Sequence, residues 1–102
     1  MAYTVIFTPE EQQQILELYH YIANATSPVI AECYTSAIIA YCEDLQTFPL
    51  RGILREDLRP ALRITNYKKR AVIAFAVDAE LISIIGVFYG GQDYTTSLQS
   101  EE

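Results

Sequence analysis

Three runs near the C-terminal half decide the fold: Leu62-Arg63-Ile64-Thr65-Asn66-Tyr67, Ala71-Val72-Ile73-Ala74-Phe75-Ala76-Val77-Asp78 and Leu81-Ile82-Ser83-Ile84-Ile85-Gly86-Val87-Phe88-Tyr89. Each is rich in β-branched and aromatic residues, the composition of a strand. Lys68-Lys69 and Asp78-Ala79-Glu80 punctuate them as turns, and Gly90-Gly91 end the last run. Short turns between consecutive strands predict an antiparallel meander. The middle run is apolar at both odd and even positions, which predicts a central strand covered on both faces.

Upstream, the sequence predicts a different kind of structure. Tyr3–Phe7 reads as one more strand. Thr8-Pro9-Glu10-Glu11 is a helix start: Thr8 caps, Pro9 takes the first helical position, and Glu11 closes a capping box. Ile15, Leu18, Tyr19 and Ile22 then recur at helical spacing, so the helix is expected over Pro9–Ala25. Ser27-Pro28 starts a second helix, expected to run to Leu45, with an apolar stripe through Ile30, Cys33, Tyr34, Ala37, Ile38 and Tyr41. The joint between them is so short that they must fold back as a hairpin. The order strand, helix, helix, three strands predicts an α+β domain: an N-terminal strand, an α-helical hairpin and a three-stranded antiparallel meander, forming one small sheet with both helices on one face. Residues 1–102 are one domain, and 95–102 form a polar, acidic tail.

Composition narrows the function. At 51% hydrophobic and a mean hydropathy of +0.12, the chain has material for a core and some apolar surface for a partner to cover. It contains neither an apolar run long enough for a membrane helix nor a signal-peptide pattern, so a cytoplasmic location is expected. Cys33 and Cys42 fall on one predicted helix, about 13 Å apart along its axis and about half a turn apart around it, so they cannot bond to each other and read as buried small hydrophobes. No Cys or His set has metal-ligand spacing, and no cofactor is called for. The single histidine, His20, sits among Tyr19, Tyr21 and Ile22 and reads as partly buried and structural.

Charge is distributed unevenly. All seven Lys and Arg residues lie between Arg51 and Arg70: Arg51, Arg55, Arg59 and Arg63 at intervals of four, then Lys68, Lys69 and Arg70. That window also holds Glu56 and Asp57, giving 7 − 2 = +5, while the remaining 13 − 2 = 11 acidic residues give −11, for the net −6. The total argues against direct nucleic-acid binding. The basic window instead suits an acidic partner, because local potential governs a contact and Arg pairs well with carboxylates.

Taken in order, Phe7-Thr8-Pro9-Glu10, Leu18-Tyr19-His20-Tyr21-Ile22, Phe48-Pro49-Leu50-Arg51-Gly52, Leu58-Arg59-Pro60-Ala61-Leu62-Arg63 and Val87-Phe88-Tyr89-Gly90-Gly91-Gln92-Asp93 resemble the ParE branch of the RelE/ParE toxin superfamily of bacterial toxin–antitoxin systems. The resemblance spans nearly the whole chain. It implies a toxin neutralised by a cognate antitoxin, whose acidic amphipathic segment wraps it in a hetero-oligomer. ParE-like toxins are associated with inhibition of DNA gyrase, and RelE-like relatives cleave messenger RNA on the ribosome.

Residues separate the two activities where fold does not. Cleaving RNA without a metal needs a base, an acid and charge stabilisation at the phosphate. Arg59, Arg63, Lys68, Lys69 and Arg70 could supply charge and Tyr89 or Tyr94 a phenol, and the set an endoribonuclease would use is Arg63, Arg70 and Tyr89. Yet Leu81–Glu102 contains no Lys or Arg, and by resemblance Gly86 and Gln92 stand where many superfamily members carry Arg, and Tyr89 where many carry His. The expectation is therefore a gyrase inhibitor that works by binding, with a ribosome-dependent endoribonuclease or an inactive toxin as alternatives. The expected antitoxin- or target-binding residues are Arg51, Arg55, Arg59, Arg63, Arg70, Tyr89, Gln92 and Tyr94. Tyr3, Val5 and Phe7 are expected on a sheet edge where an antitoxin strand could add.

Overall fold

A computed structural model describes residues 3–68 and 70–90. Strand β1 is Thr4–Phe7, helix α1 Pro9–Ala25, helix α2 Pro28–Glu43, followed by a short 3-10 turn at Asp44–Gln46; strands β2 Ile53–Leu54, β3 Leu62–Tyr67, β4 Ala71–Asp78 and β5 Leu81–Tyr89 complete it. Both predicted helix starts form. Thr8 Oγ1 accepts from the Glu11 amide at 3.2 Å and Ser27 Oγ from the Ile30 amide at 3.2 Å, with Pro9 and Pro28 in the first turn where no amide donor is missed. The second half of the expected capping box does not form. The Thr8 amide donates instead to the Ile84 carbonyl at 3.2 Å, and the Glu11 side chain turns into the core, 2% exposed.

The sheet order is β1-β5-β4-β3-β2, so β4 is central, as its unbroken apolar run predicts. The α+β class and the two-helix layer stand, with two differences in the sheet. It is mixed rather than antiparallel, because β1 pairs in parallel with β5. It also has a fifth strand, the two-residue β2, antiparallel to β3. Both follow from chain direction. β1, β3 and β5 run in the same sense, and the helical hairpin returns the chain to the end at which β1 finishes, so residues 44–61 must run back before β3 can start; β2 lies on that return leg. Two apolar residues after Gly52 are too short a run for a period-two signal.

Core side chains occupy both faces. Leu18, Ile22, Ala31, Ile38, Cys42 and Leu45 pack on Ile73, Phe75, Ile82 and Ile84 beneath the helices, while Leu58 covers Leu62, Ile64, Ala74 and Phe88 on the other face. A β-bulge interrupts β5. Ala74 pairs with Gly86 and Phe75 with Ile84, leaving Ile85 without a partner on β4. An extra residue reverses the alternation: Ile82 and Ile84 face the helices before it, Val87 and Tyr89 after it, and Phe88 turns to the opposite face. Gln14 of α1 seals the defect, its Oε1 accepting from the Val87 amide at 2.7 Å.

Candidate partner-binding face

Tyr67 and Tyr89 both lie in register with Ala71, so three neighbouring strands carry Tyr, Ala, Tyr in one row. The small alanine leaves a gap between the two rings, and Tyr34 of α2 fills it, edge-on to Tyr89 at 5.6 Å and to Tyr67 at 6.1 Å. Tyr21 of α1 extends the row at 5.9 Å from Tyr89, and Tyr41, two turns after Tyr34 on α2, extends it the other way at 5.2 Å from Tyr67. Offset and edge-on pairs at these distances are attractive beyond the area they bury. Tyr89 reaches this row only because the bulge turns it toward the helices.

Cations border the row. The Arg51 guanidinium lies over both the Tyr41 ring (5.0 Å) and the Phe48 ring (5.1 Å), and Lys68 Nζ sits 5.6 Å from the Tyr67 ring. Arg70 is exposed on the β3–β4 hairpin. The Tyr34 hydroxyl is buried with no partner among the described residues, and burial, followed by the Tyr89 and Tyr67 phenols, pushes its pKa up, while Arg70 pulls it down. Tyr41 Oη and Thr65 Oγ1 share a hydrogen bond of 3.1 Å.

The regular Arg spacing of the sequence does not become one stripe. Arg63 extends from β3 and donates to the carbonyls of Leu50 (2.8 Å), Arg51 (3.1 Å) and Gly52 (3.4 Å), so its guanidinium holds the 50–52 loop. Arg55 grips Asp57 through Nε (2.9 Å) and Nη2 (2.8 Å), and holds that carboxyl below the usual range. Arg59 lies in the turn before β3 and lines a cleft with Pro60, Ile85 and Phe88 that the start of α1, through Thr8, Glu10 and Gln14, also borders. A spacing of four keeps residues on one face only within one regular element, and Ala61 intervenes with a φ of 60°. Arg51, Arg70 and Tyr89 therefore meet at the aromatic row, and Arg55, Arg59 and Arg63 do not. Gln92, Tyr94 and Lys69 lie outside the described residues.

Two further expectations change. His20 is exposed, its ring edge-on to Tyr19 at 5.6 Å, rather than partly buried. Cys33 is exposed on α2, and only Cys42 is buried, its thiol pushed up to about 12, chiefly by burial. Tyr34, Tyr41 and Tyr67 were not among the expected site residues; the one signal in the sequence is that Tyr34 and Tyr41 stand seven apart, on one helix face. Another surface carries no periodic signal: Phe48, Leu50, Ile53 and Leu54 are large, apolar and 48–68% exposed at the β2 edge.

A helical hairpin on a small mixed sheet, bearing an aromatic row fringed by cations, defines a small α+β domain. Residues 5–94 match the family described as the ParE toxin of type II toxin–antitoxin system, parDE, and the chain belongs to that family. No curated protein matches it. Among solved structures it is similar to a chain of the chromosomal ParDE toxin–antitoxin system from P. aeruginosa, with a TM-score of 0.76 at 17% identity over 87% of this chain and 97% of that one. It also resembles a chain of the RelBE2 toxin–antitoxin complex from Mycobacterium tuberculosis, with a TM-score of 0.62 at 20% identity over 87% and 99%. Both likenesses are of fold.

Proposed function

We propose that this toxin arrests growth in the cytoplasm by binding DNA gyrase, that a cognate antitoxin neutralises it, and that it performs no chemistry of its own. The observation that carries this reading is the use to which two nuclease candidates are put. Arg63 donates to three backbone carbonyls, and the Tyr89 ring is packed between Tyr21 and Tyr34. A guanidinium committed to holding a loop is poorly placed to stabilise a phosphate, and the Tyr89 ring is engaged by its aromatic neighbours. The Tyr34 phenol in the same row is pushed further from neutrality, the wrong direction for a general acid or base. Arg51, Arg70 and Tyr89 are the residues we assign to partner contact at the aromatic row, with Arg59 at the cleft.

One observation favours an endoribonuclease as the second reading: Arg70 is exposed beside three tyrosines, an arrangement able to receive a phosphate and stack a base. Purified gyrase separates the two. Loss of supercoiling with accumulation of cleaved DNA supports the binding reading. Messenger RNA cut only in the presence of ribosomes supports the second. Normal growth on induced expression sinks both and leaves a toxin fold without activity.

A further inference from the structure

Between α1 and the end of β5 lies a cavity of about 410 Å³, within the range of roughly 300–1,000 Å³ usual for small-molecule sites. One wall is a single face of α1, because Gln14, Glu17, Leu18 and Tyr21 follow the helical spacing. The other wall is Val87 and Tyr89, which the bulge in β5 turns toward the helices. The Tyr21 and Tyr89 rings both line the cavity, with centroids 5.9 Å apart and planes inclined by 60°. Tyr21 is 62% exposed, so the cavity opens to solvent beside it. Glu17 contributes the only charge of the lining. Gln13 Nε2 donates to its Oε2 at 3.1 Å, which steadies the carboxylate and leaves Oε1 for a ligand.

We propose that this cavity binds a small organic ammonium ion, its cationic head against the Tyr21 and Tyr89 rings and the Glu17 carboxylate, its stem against Leu18 and Val87. A cation within about 6 Å of an aromatic centroid is attracted by the ring quadrupole, and cages of such rings are how proteins recognise quaternary ammonium groups. Centroids 5.9 Å apart put one cation within that reach of both rings. Charge excludes the alternatives. An anion would meet two negative ring faces and a carboxylate, and a neutral molecule would gain nothing from Glu17. The chain has no cation of its own in these walls, since residues 1–50 and 71–102 contain no Lys or Arg. Arg70 is joined to the rim, its carbonyl accepting from the Gly90 amide at 2.9 Å, but it does not line the cavity. The site is separate from the gyrase and antitoxin readings, and Tyr89 is the one residue it shares with the partner contacts assigned above.

The test uses the full chain at constant ionic strength, with choline as the probe. The counterpart is the neutral isostere of choline in which carbon replaces the quaternary nitrogen. Backbone amide shifts in a heteronuclear NMR titration report both site and affinity. Expected is saturable choline binding in the millimolar range, with shifts centred on Glu17, Tyr21, Val87 and Gly90, and binding of the isostere weaker by about fivefold or more. Tyr21→Leu should weaken choline about fivefold, Tyr21→Phe should preserve it, and Glu17→Gln should weaken it about threefold; both positions are exposed, so folding is not at issue. Arg70→Ala should leave the affinity unchanged or raise it. Glu32→Gln, exposed on α2 and outside the cavity, is the control for net charge. The proposal is overturned if choline shows no saturable binding, if the isostere binds as well, if the shifts centre elsewhere, or if Tyr21→Phe or Arg70→Ala weakens binding. Equal losses with Glu32→Gln and Glu17→Gln would also overturn it, by reducing the effect to overall charge. Tighter binding of acetyl-lysine amide than of butylammonium, which share a head group and stem, would overturn the small-molecule assignment in favour of a protein side chain.

Discussion

Glu11 is where the sequence rules and the fold part most sharply. A glutamate three residues after a capping threonine should reach back to the helix start, yet its carboxyl is buried, one oxygen lacks a partner among the described residues, and burial pushes its pKa from 4.5 to about 7. Since the folded-state value is the higher one, the native chain binds more protons than the unfolded chain between about pH 4.5 and pH 7, and stability falls as pH rises through that window. Glu11→Gln keeps the shape of the protonated group and removes the penalty. We expect it to melt like the wild type near pH 4.5 and to exceed it by roughly 2–3 kcal/mol at pH 8; parallel melting curves across that range would refute the burial argument. Arg63 and Arg70 make a second contrast at this scale. Arg63→Ala releases three carbonyls and should cost about 1–3 kcal/mol in a denaturant melt, whereas exposed Arg70→Ala should stay within about 0.5 kcal/mol while weakening partner binding. Reversal of that pattern would make Arg70 structural and Arg63 the contact residue.

At the scale of elements, the bulge in β5 connects fold to surface. Gly86 has no room for a side chain, because a Cβ would meet Gln14 Oε1 and the Phe88 ring at 2.9 Å. The absence of Arg at position 86 is thus tied to Gln14, which occupies that space to bind the Val87 amide. Gly86→Ala should destabilise by about 1–3 kcal/mol through crowding, and Gln14→Ala by a similar amount through the orphaned amide. With both changes, the cost should fall short of the sum, because the alanine at 14 frees the space that the alanine at 86 needs. Strict additivity in urea melts would mean the two do not share the site. This element also marks how far the sequence could be read. Caps, helix starts, the meander and the central strand were legible because each rests on local residues and a period of 3.6 or 2. The aromatic row was not, since Tyr89 sits on its face only by virtue of one extra residue, and a bulge is a property of two strands together. Nor was β2, whose pairing is fixed by the close approach of Gly52 to Ile64 and by Arg63 of β3 holding the carbonyls of residues 50–52. The Arg spacing misled for a related reason: four positions keep a common face only if no left-handed turn such as Ala61 separates them.

Across the whole molecule, charge separation sets how an acidic partner approaches. Residues 1–50 hold six acidic and no basic residues, and all seven basic residues fall between Arg51 and Arg70 in the sequence of a body measuring 39 × 32 × 23 Å. At about 0.01 M salt the screening length is roughly 30 Å, comparable to the molecule, so an antitoxin that is acidic, as the basic window suggests, would sense the net −6 and be repelled. Near 0.15 M it shrinks to about 8 Å, and only the face being approached is felt, which at the Arg51–Arg70 edge is positive. At about 1 M even that contact is screened. The association rate should therefore rise from low to physiological salt and then fall, whereas a uniformly basic protein would lose rate at every step. Stopped-flow association with the cognate antitoxin over this range tests it. A steady decline from the lowest salt would show that the basic edge dominates at all distances. A steady rise would show that the contact is made by apolar residues such as Ile53 and Leu54, with the cations contributing nothing to capture. A maximum near physiological salt, flattened by Arg70→Glu, would mean that this acidic chain captures an acidic partner because the cell's own ionic strength hides all but one of its faces.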